Sequence, residues 1–378
     1  MKSPKLKNRI LGFMGGIIIG ATVAYLVLVV FGDVKGGSEF PWHTKLLLFP
    51  VVAIALWITI SIHELGHVFA GLSQKFEFRL LSVGPVIVEK ELGKLKLKRN
   101  TNFNTFGGVA LCLPTDQQNL NKRFAIFAFG GPLASLIFGG FFSIFLIFIQ
   151  LDTTLLRFYL LESFILISCI LSFCIALVTL IPMHSEGFTS DGGRILNLLK
   201  GGPSAQIEST LLNAIAQATS GIRPSLINPD PILIALNLPY ESPLKPYLSG
   251  LLYNHYQDAG ELEKASWHLD QYLEGAQYIP KGYIASLYLE KAWFEARHKK
   301  NLSLAKEYFS REKAGVMIPK SQVLRVEAAI AMGEGNYSLA VKKINEAIKE
   351  LPKLIDKGAA VAEKEWLEAM LEDCKVEL

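Results

Sequence analysis

Hydrophobic residues are strongly segregated along this chain. Four runs are uninterrupted or nearly so: 11–31, 46–72, 124–149 and 159–181, the last broken only by Glu162. As helices, each is long enough to cross the roughly 30 Å of bilayer hydrocarbon, which takes about 20 apolar residues. Between the second and third runs the period changes. Phe76-Glu77-Phe78-Arg79 and Leu95-Lys96-Leu97-Lys98 alternate apolar with polar, and Gly84-Pro85 and Gly93 punctuate them, so short strands or hairpins are predicted. Phe106-Gly107-Gly108-Val109, followed by Ala110 to Pro114, predicts an apolar strand with a flexible lead-in.

Beyond Gly201-Gly202-Pro203 the pattern is polar and helical. A Pro-rich stretch, 224–246, precedes three recurring units: AGELEKASWHLDQYLEG, KKNLSLAKEYFSREKAG and EGNYSLAVKKINEAIKE. Ala265, Ala305 and Ala340 hold equivalent places in them, and Pro280, Pro319 and Pro352 end them similarly. In the first unit Leu262, Ala265, Leu269, Tyr272 and Leu273 step by three and four, the stripe of a packed helix. The expected fold is therefore mainly α. A polytopic membrane helical bundle with a short β-hairpin or β-loop insertion occupies 1–200, a linker 201–244, and a soluble α-helical repeat domain 245–378.

Composition supports this division: 378 residues with 51% hydrophobic content leave room for a membrane unit and a second folding unit. The net charge of +4 is modest and its distribution is topological. Lys2, Lys5, Lys7 and Arg9 precede the first run; Lys75, Arg79, Lys90, Lys94, Lys96, Lys98 and Arg99 lie between the second and third. Short cytoplasmic loops carry such an excess, so the N-terminus, the segment between the second and third runs, the active-site end of the second run and the C-terminal domain are expected in the cytoplasm, with the loops 32–45 and 150–158 outside. The first run is long and lacks a small-x-small cleavage pattern, which favours an uncleaved anchor over a signal peptide. No nucleic-acid partner is implied. Cys112, Cys169, Cys174 and Cys374 form no CxxC and no disulfide framework.

The chemistry concentrates in the second run, where ITISIHELGHVFAGL carries His63, Glu64 and His67 as an HExxH pattern. Residues four apart share a helix face, so both imidazoles can reach one ion, and Glu64 falls beside it to handle the proton of a water. Zinc lowers the pKa of a bound water to roughly 7. Ionisable residues at membrane depth cost on the order of 2.5–3.5 kcal/mol each and usually mark function, so a polar helix end does not account for this spacing. A catalytic Zn2+ takes three protein ligands. Asp191, in IPMHSEGFTSDGGRI, is the candidate third; His184 and Glu186 are rivals, and Asp191 could instead be an ordinary N-cap of a helix beginning near Arg194. The strand led by Gly107 and Gly108 could bind an unwound substrate by β-addition. Ser135, on the small-residue face Gly130-Gly131-Pro132 to Gly140, is a candidate substrate hydrogen-bonder, although packing also explains that face.

HELGH at 63–67, FGGV at 106–109, GGPLAS at 130–135 and SDGGRI at 190–195, in that order, resemble the site-2 protease family of intramembrane zinc metalloproteases. The resemblance implies a three-helix catalytic core with His63, His67 and Asp191 on zinc, Glu64 as general base, and FGGV in a membrane-embedded β-loop. The family often has Asn where this chain has Ser135 and Thr179. The C-terminal third resembles tetratricopeptide repeats, which implies a protein partner. The expected function is hydrolysis of peptide bonds in a membrane-spanning or membrane-associated protein or peptide, within the lipid bilayer. A catalytically inactive scaffold recruiting partners through the repeats is the alternative, and a transporter or receptor ranks below it.

Overall fold

A computed structural model describes residues 16–22, 40–91, 94–100, 105–116, 118–185, 188–279, 281–311 and 318–377. The expected first span, 11–31, lies largely outside the described residues; 16–22 within it are helical. Two compact units are present, the first ending at Lys200 and the second beginning at Gly201.

The first unit is built on α1 (Leu48–Ser73), α2 (Leu120–Phe148) and α3 (Leu156–Leu180). Among the described residues, these lie in the three helices long and apolar enough to cross a membrane, the first counted from His43. They sit close to the expected spans. α2 starts earlier because the polar turn Leu120 to Arg123 is already helical, pinned where Arg123 Nε and Nη2 donate to the Gln74 carbonyl at 3.0 and 2.8 Å. That carbonyl belongs to the C-cap of α1, so one guanidinium ties the two helices together at their polar ends. The outward faces are apolar: Phe49, Ile54, Ile137, Phe141, Ile144 and Ile147 are all exposed, as a lipid-facing surface requires. The inward faces are small. A Cβ added at Gly66 would overlap the Gly130 carbonyl and come 2.5 Å from Ala134 Cβ; one at Gly130 would overlap the Gly66 carbonyl. α1 and α2 thus touch backbone to backbone, the packing that small residues permit between membrane helices.

Between α1 and α2 lies an antiparallel sheet of β1 (Phe76–Val83), β2 (Val86–Glu91), β3 (Lys94–Arg99) and β4 (Val109–Pro114), in the order β3-β2-β1-β4. The alternation at 76–79 and 95–98 marks β1 and β3. The β1–β2 turn needs Gly84 at φ 54°, where Trp57 of α1 closes over it and donates from Nε1 to the Val83 carbonyl at 3.2 Å. Buried Asn100 donates to the Gly84 carbonyl at 2.8 Å and to Ser82 Oγ at 3.0 Å, fixing the far end of β3 against the same turn. β4 pairs with β1 on one side and is an edge strand of this sheet. After α3 comes α4 (Asp191–Lys200), which packs on α2 and α3.

The second unit is helical throughout: α5 (Gly202–Thr219), α6 (Asp230–Leu236), α7 (Lys245–Asp258), α8 (Leu262–Glu274), α9 (Lys281–Arg297), α10 (Leu302–Arg311), α11 (Lys320–Gly333), α12 (Tyr337–Glu350) and α13 (Lys357–Glu377). The stretch expected as a linker, 201–244, is instead part of this unit. Ile207, Leu211, Ala214 and Ala218 of α5 step by three and four and share a core with Leu248, Leu252 and Leu269. Helices α7–α8, α9–α10 and α11–α12 form three hairpins with equivalent turns. Gly260, Lys300 and Gly335 take φ of 78°, 56° and 75°, and five residues on, Ala265, Ala305 and Ala340 are each 0% exposed. Asn301 and Asn336 cap the second helices of their hairpins, accepting from the Leu304 and Leu339 amides. α13 closes the array. Its Leu367, Met370 and Cys374 are fully buried, and Trp366 stacks on Trp293 at 6.5 Å. Beside them lies buried Arg325, 4.7 Å from the Trp293 ring, 5.8 Å from the Trp366 ring and 2.6 Å from Glu290. A buried guanidinium is tolerable because a carboxylate and two ring faces surround it.

Two predictions follow from this unit's geometry. A left-handed backbone costs a non-glycine residue about 1–2 kcal/mol, and nothing lies within 4 Å of a Cβ built at Gly335. Lys300→Gly should therefore raise, and Gly335→Ala lower, unfolding stability by about 1 kcal/mol each; shifts of the opposite sign in urea titrations of the full chain would contradict the turn assignment. Burial pushes the His268 imidazole down to about 4, and burial together with Arg297 and Lys300 does the same to His298. Both stay neutral in the folded chain while the unfolded imidazole protonates below about pH 6.5. Stability is thus fully present above about pH 6.5 and lost as pH falls toward 4. For His268 this amounts to about 2 kcal/mol between pH 7.5 and 5, read as a drop in urea midpoint that His268→Phe reduces.

Candidate metal centre

α1 brings His63 and His67 one turn apart with ring centroids 4.9 Å apart and planes at 85°. Both rings are buried, at 5% and 7% exposure. α4 supplies the third group: Asp191 Oδ2 lies 3.3 Å from His63 Nε2 and 3.6 Å from His67 Nε2. One ligand atom from each of the three lies within 4.8 Å of the others, and among the described residues this is the one such group of His, Cys, Asp or Glu.

Asp191 reaches the histidines because its neighbour takes over the capping. α4 starts at Asp191 itself, and Ser190 is the cap: its Oγ accepts from the Gly193 amide at 3.2 Å and its carbonyl from Arg194 at 2.9 Å. The same Oγ donates to the Ile181 carbonyl at 2.6 Å, which ties the start of α4 to the end of α3. Gly192 seals the junction, since a Cβ there would overlap the Leu180 carbonyl. The Asp191 carboxylate is left free to face α1. The side chains of His184 and Glu186 lie outside the described residues.

α2 orients both rings. His67 Nδ1 lies 2.9 Å from the Phe127 carbonyl, which can only accept, and 3.3 Å from the Gly131 amide; the shorter contact places the proton on Nδ1, so that Nε2 presents its lone pair toward Asp191. His63 Nδ1 lies 2.9 Å from Ser135 Oγ. Gly131, midway between, makes room: a Cβ there would overlap His67 Nε2 and come 2.7 Å from His63 Nε2. The converging atoms are two imidazole nitrogens and a carboxylate oxygen, at separations too long for strong direct hydrogen bonds. This donor set fits a divalent cation of the zinc type, with three protein ligands and a position open to a small molecule.

Glu64 faces the sheet. The Gly108 Cα lies so close that a Cβ there would come 2.5 Å from Glu64 Oε1, and the Ala110 amide of β4 also reaches the carboxylate. Gly108 has φ 109°, a value that favours glycine, whereas a Cβ at Gly107 would meet nothing within 4 Å. Of the residues proposed for substrate, Gly108 thus borders Glu64 on the lead-in to β4, Gly107 faces open space, and Ser135 is fully buried against His63. Sequence reasoning missed Ser190, Gly131 as the ring spacer, and the Phe127 carbonyl. A Ser one residue ahead of the first helical Asp was the available signal for the first; a backbone carbonyl leaves none.

A helix carrying buried HExxH histidines, a third acid from a later helix, and a sheet edge beside the Glu together define a membrane metallopeptidase type of site. Residues 51–158 match the family model Peptidase family M50, the model of the site-2 protease family. The match spans most of α1, the sheet, all of α2 and the first residues of α3, and ends before Asp191. No curated protein and no solved structure matches the chain.

Gly131→Ala should displace both rings and abolish stoichiometric zinc retention, while Gly140→Ala, whose Cβ meets nothing within 4 Å, should leave it intact. Metal content of the two purified variants checks this; equal retention would contradict the spacer role.

Proposed function

We propose that this chain is a zinc-dependent intramembrane endopeptidase that cleaves membrane-spanning or membrane-associated polypeptides near the cytoplasmic face. The observation that carries the reading is the convergence of His63, His67 and Asp191 beside Glu64, with His63, Glu64 and His67 inside the segment that matches Peptidase family M50. His63 Nε2, His67 Nε2 and an Asp191 oxygen would hold the ion, and Zn2+ supplies Lewis acidity toward the scissile carbonyl when bound.

The chain's own residues account for the rest. Among the described residues β4 has an edge without a strand partner, and its lead-in at Gly108 lies against Glu64. An extended substrate pairing along that edge offers its peptide bonds unprotected by helical hydrogen bonds. Glu64 takes a proton from the attacking water and passes it to the leaving amine nitrogen. The apolar walls of α1, α2 and α3 limit water to what the site admits, which strengthens each charge interaction within it. The helical hairpins of the second unit are proposed to recruit a protein partner, and the basic residues around the sheet to face the cytoplasm.

Glu64→Gln keeps a polar group of the same size and removes the base. Zinc retention should persist and cleavage of a membrane-peptide substrate should fall at least ~100-fold, whereas Asp191→Ala should lose both. Turnover by Glu64→Gln at the wild-type rate would reject the mechanism.

A further inference from the structure

We infer that Ser135 is a positioning residue for His63, fixing which ring nitrogen faces the ion, and is not a substrate contact. The inference rests on the proposal that His63, His67 and Asp191 hold zinc. Ser135 is 0% exposed, with its Oγ 2.9 Å from His63 Nδ1; the opposite ring nitrogen, Nε2, lies 3.3 Å from Asp191 Oδ2. A neutral imidazole carries one proton. If it sits on Nε2, an N–H points into the ligand set and the ring cannot bind metal; if it sits on Nδ1, Nε2 is a ligand.

The two histidines are held in this state by different means. For His67 the partner is the Phe127 carbonyl, a backbone group that no substitution removes. For His63 it is a side chain. The Ser135 hydroxyl lies within hydrogen-bond reach of Nδ1, and a helical serine that directs its own proton to a carbonyl in the preceding turn is left to accept from Nδ1–H. The division of labour along α2 is regular: Phe127, Gly131 and Ser135 are successive turns of one face, supplying an acceptor, a space and an acceptor. Full burial with Oγ engaged leaves Ser135 no surface for a substrate strand. Outer partners of metal-bound histidines typically contribute 10–100-fold to metal affinity.

The test uses the full chain in detergent, with Zn2+ affinity measured by chelator competition and Co2+ as a spectroscopic probe. Ser135→Ala removes one buried atom and should weaken Zn2+ binding 10–100-fold and alter the visible bands of the Co2+ form. Ser143→Ala, two turns further along the same helix, where Oγ bonds the Gly139 carbonyl, should change neither. Wild-type Zn2+ affinity in Ser135→Ala overturns the inference, whether cleavage is unchanged or KM alone rises. An equal loss in Ser143→Ala overturns it too, since helix packing would then be the cause. Wild-type protein that binds no Zn2+ would overturn the proposed function itself, a result distinct from either.

Discussion

The backbone contact between α1 and α2 is the constraint on which the site depends. Gly66 and Gly130 let the two helices meet without side chains between them, and Gly131, one residue on, leaves the space that two imidazole rings occupy. Any Cβ at these positions moves α2 outward. The Phe127 carbonyl and Ser135 hydroxyl would then retreat from the rings they orient. In a lipid environment no hydrophobic force holds helices together, so close packing and such interhelical hydrogen bonds are the forces available. Placing the rings at the crossing uses both in one place.

The rest of the first unit serves to bring two further groups to that crossing. Asp191 arrives because Ser190 caps α4 and binds the end of α3, so the orientation of a carboxylate is set by a neighbour's hydroxyl. Glu64 meets β4 because Gly108 adopts a left-handed backbone and has no side chain to hold the strand away. The sheet is held near α1 in turn by the Trp57 indole on the Val83 carbonyl, and Arg123 ties α2 to the C-cap of α1. The Trp57 and Arg123 contacts join segments distant in sequence, and each is made by a polar group that would be costly to bury unpaired.

Much of this was legible in the chain. The HExxH spacing put His63 and His67 on one face, the hydrophobic runs marked α1, α2 and α3, and the alternation at 76–79 and 95–98 marked the sheet. Asp191 was visible as an acid beyond the last span, yet spacing left it level with His184, Glu186 and a capping role. What frees its carboxylate from the capping role is a hydrogen bond of Ser190, which depends on where a helix begins to within one residue. Ser135 stood out as a polar residue on a small face. Its partner was hidden because the contact crosses 72 positions of sequence. In the second unit the three alanines marked the hairpins, but the Pro-rich composition of 224–246 drew attention away from the periodic apolar stripe of α5, which makes that stretch part of the core.

The central claim is that His63, His67 and Asp191 share one ion, and X-ray absorption at the zinc edge of the purified full-length chain tests it most directly. The account predicts one zinc per chain with two imidazole nitrogens and carboxylate oxygen at about 2.0–2.2 Å and no sulfur, and a changed first shell in Asp191→Asn. A shell containing sulfur, or one indifferent to that substitution, would contradict it.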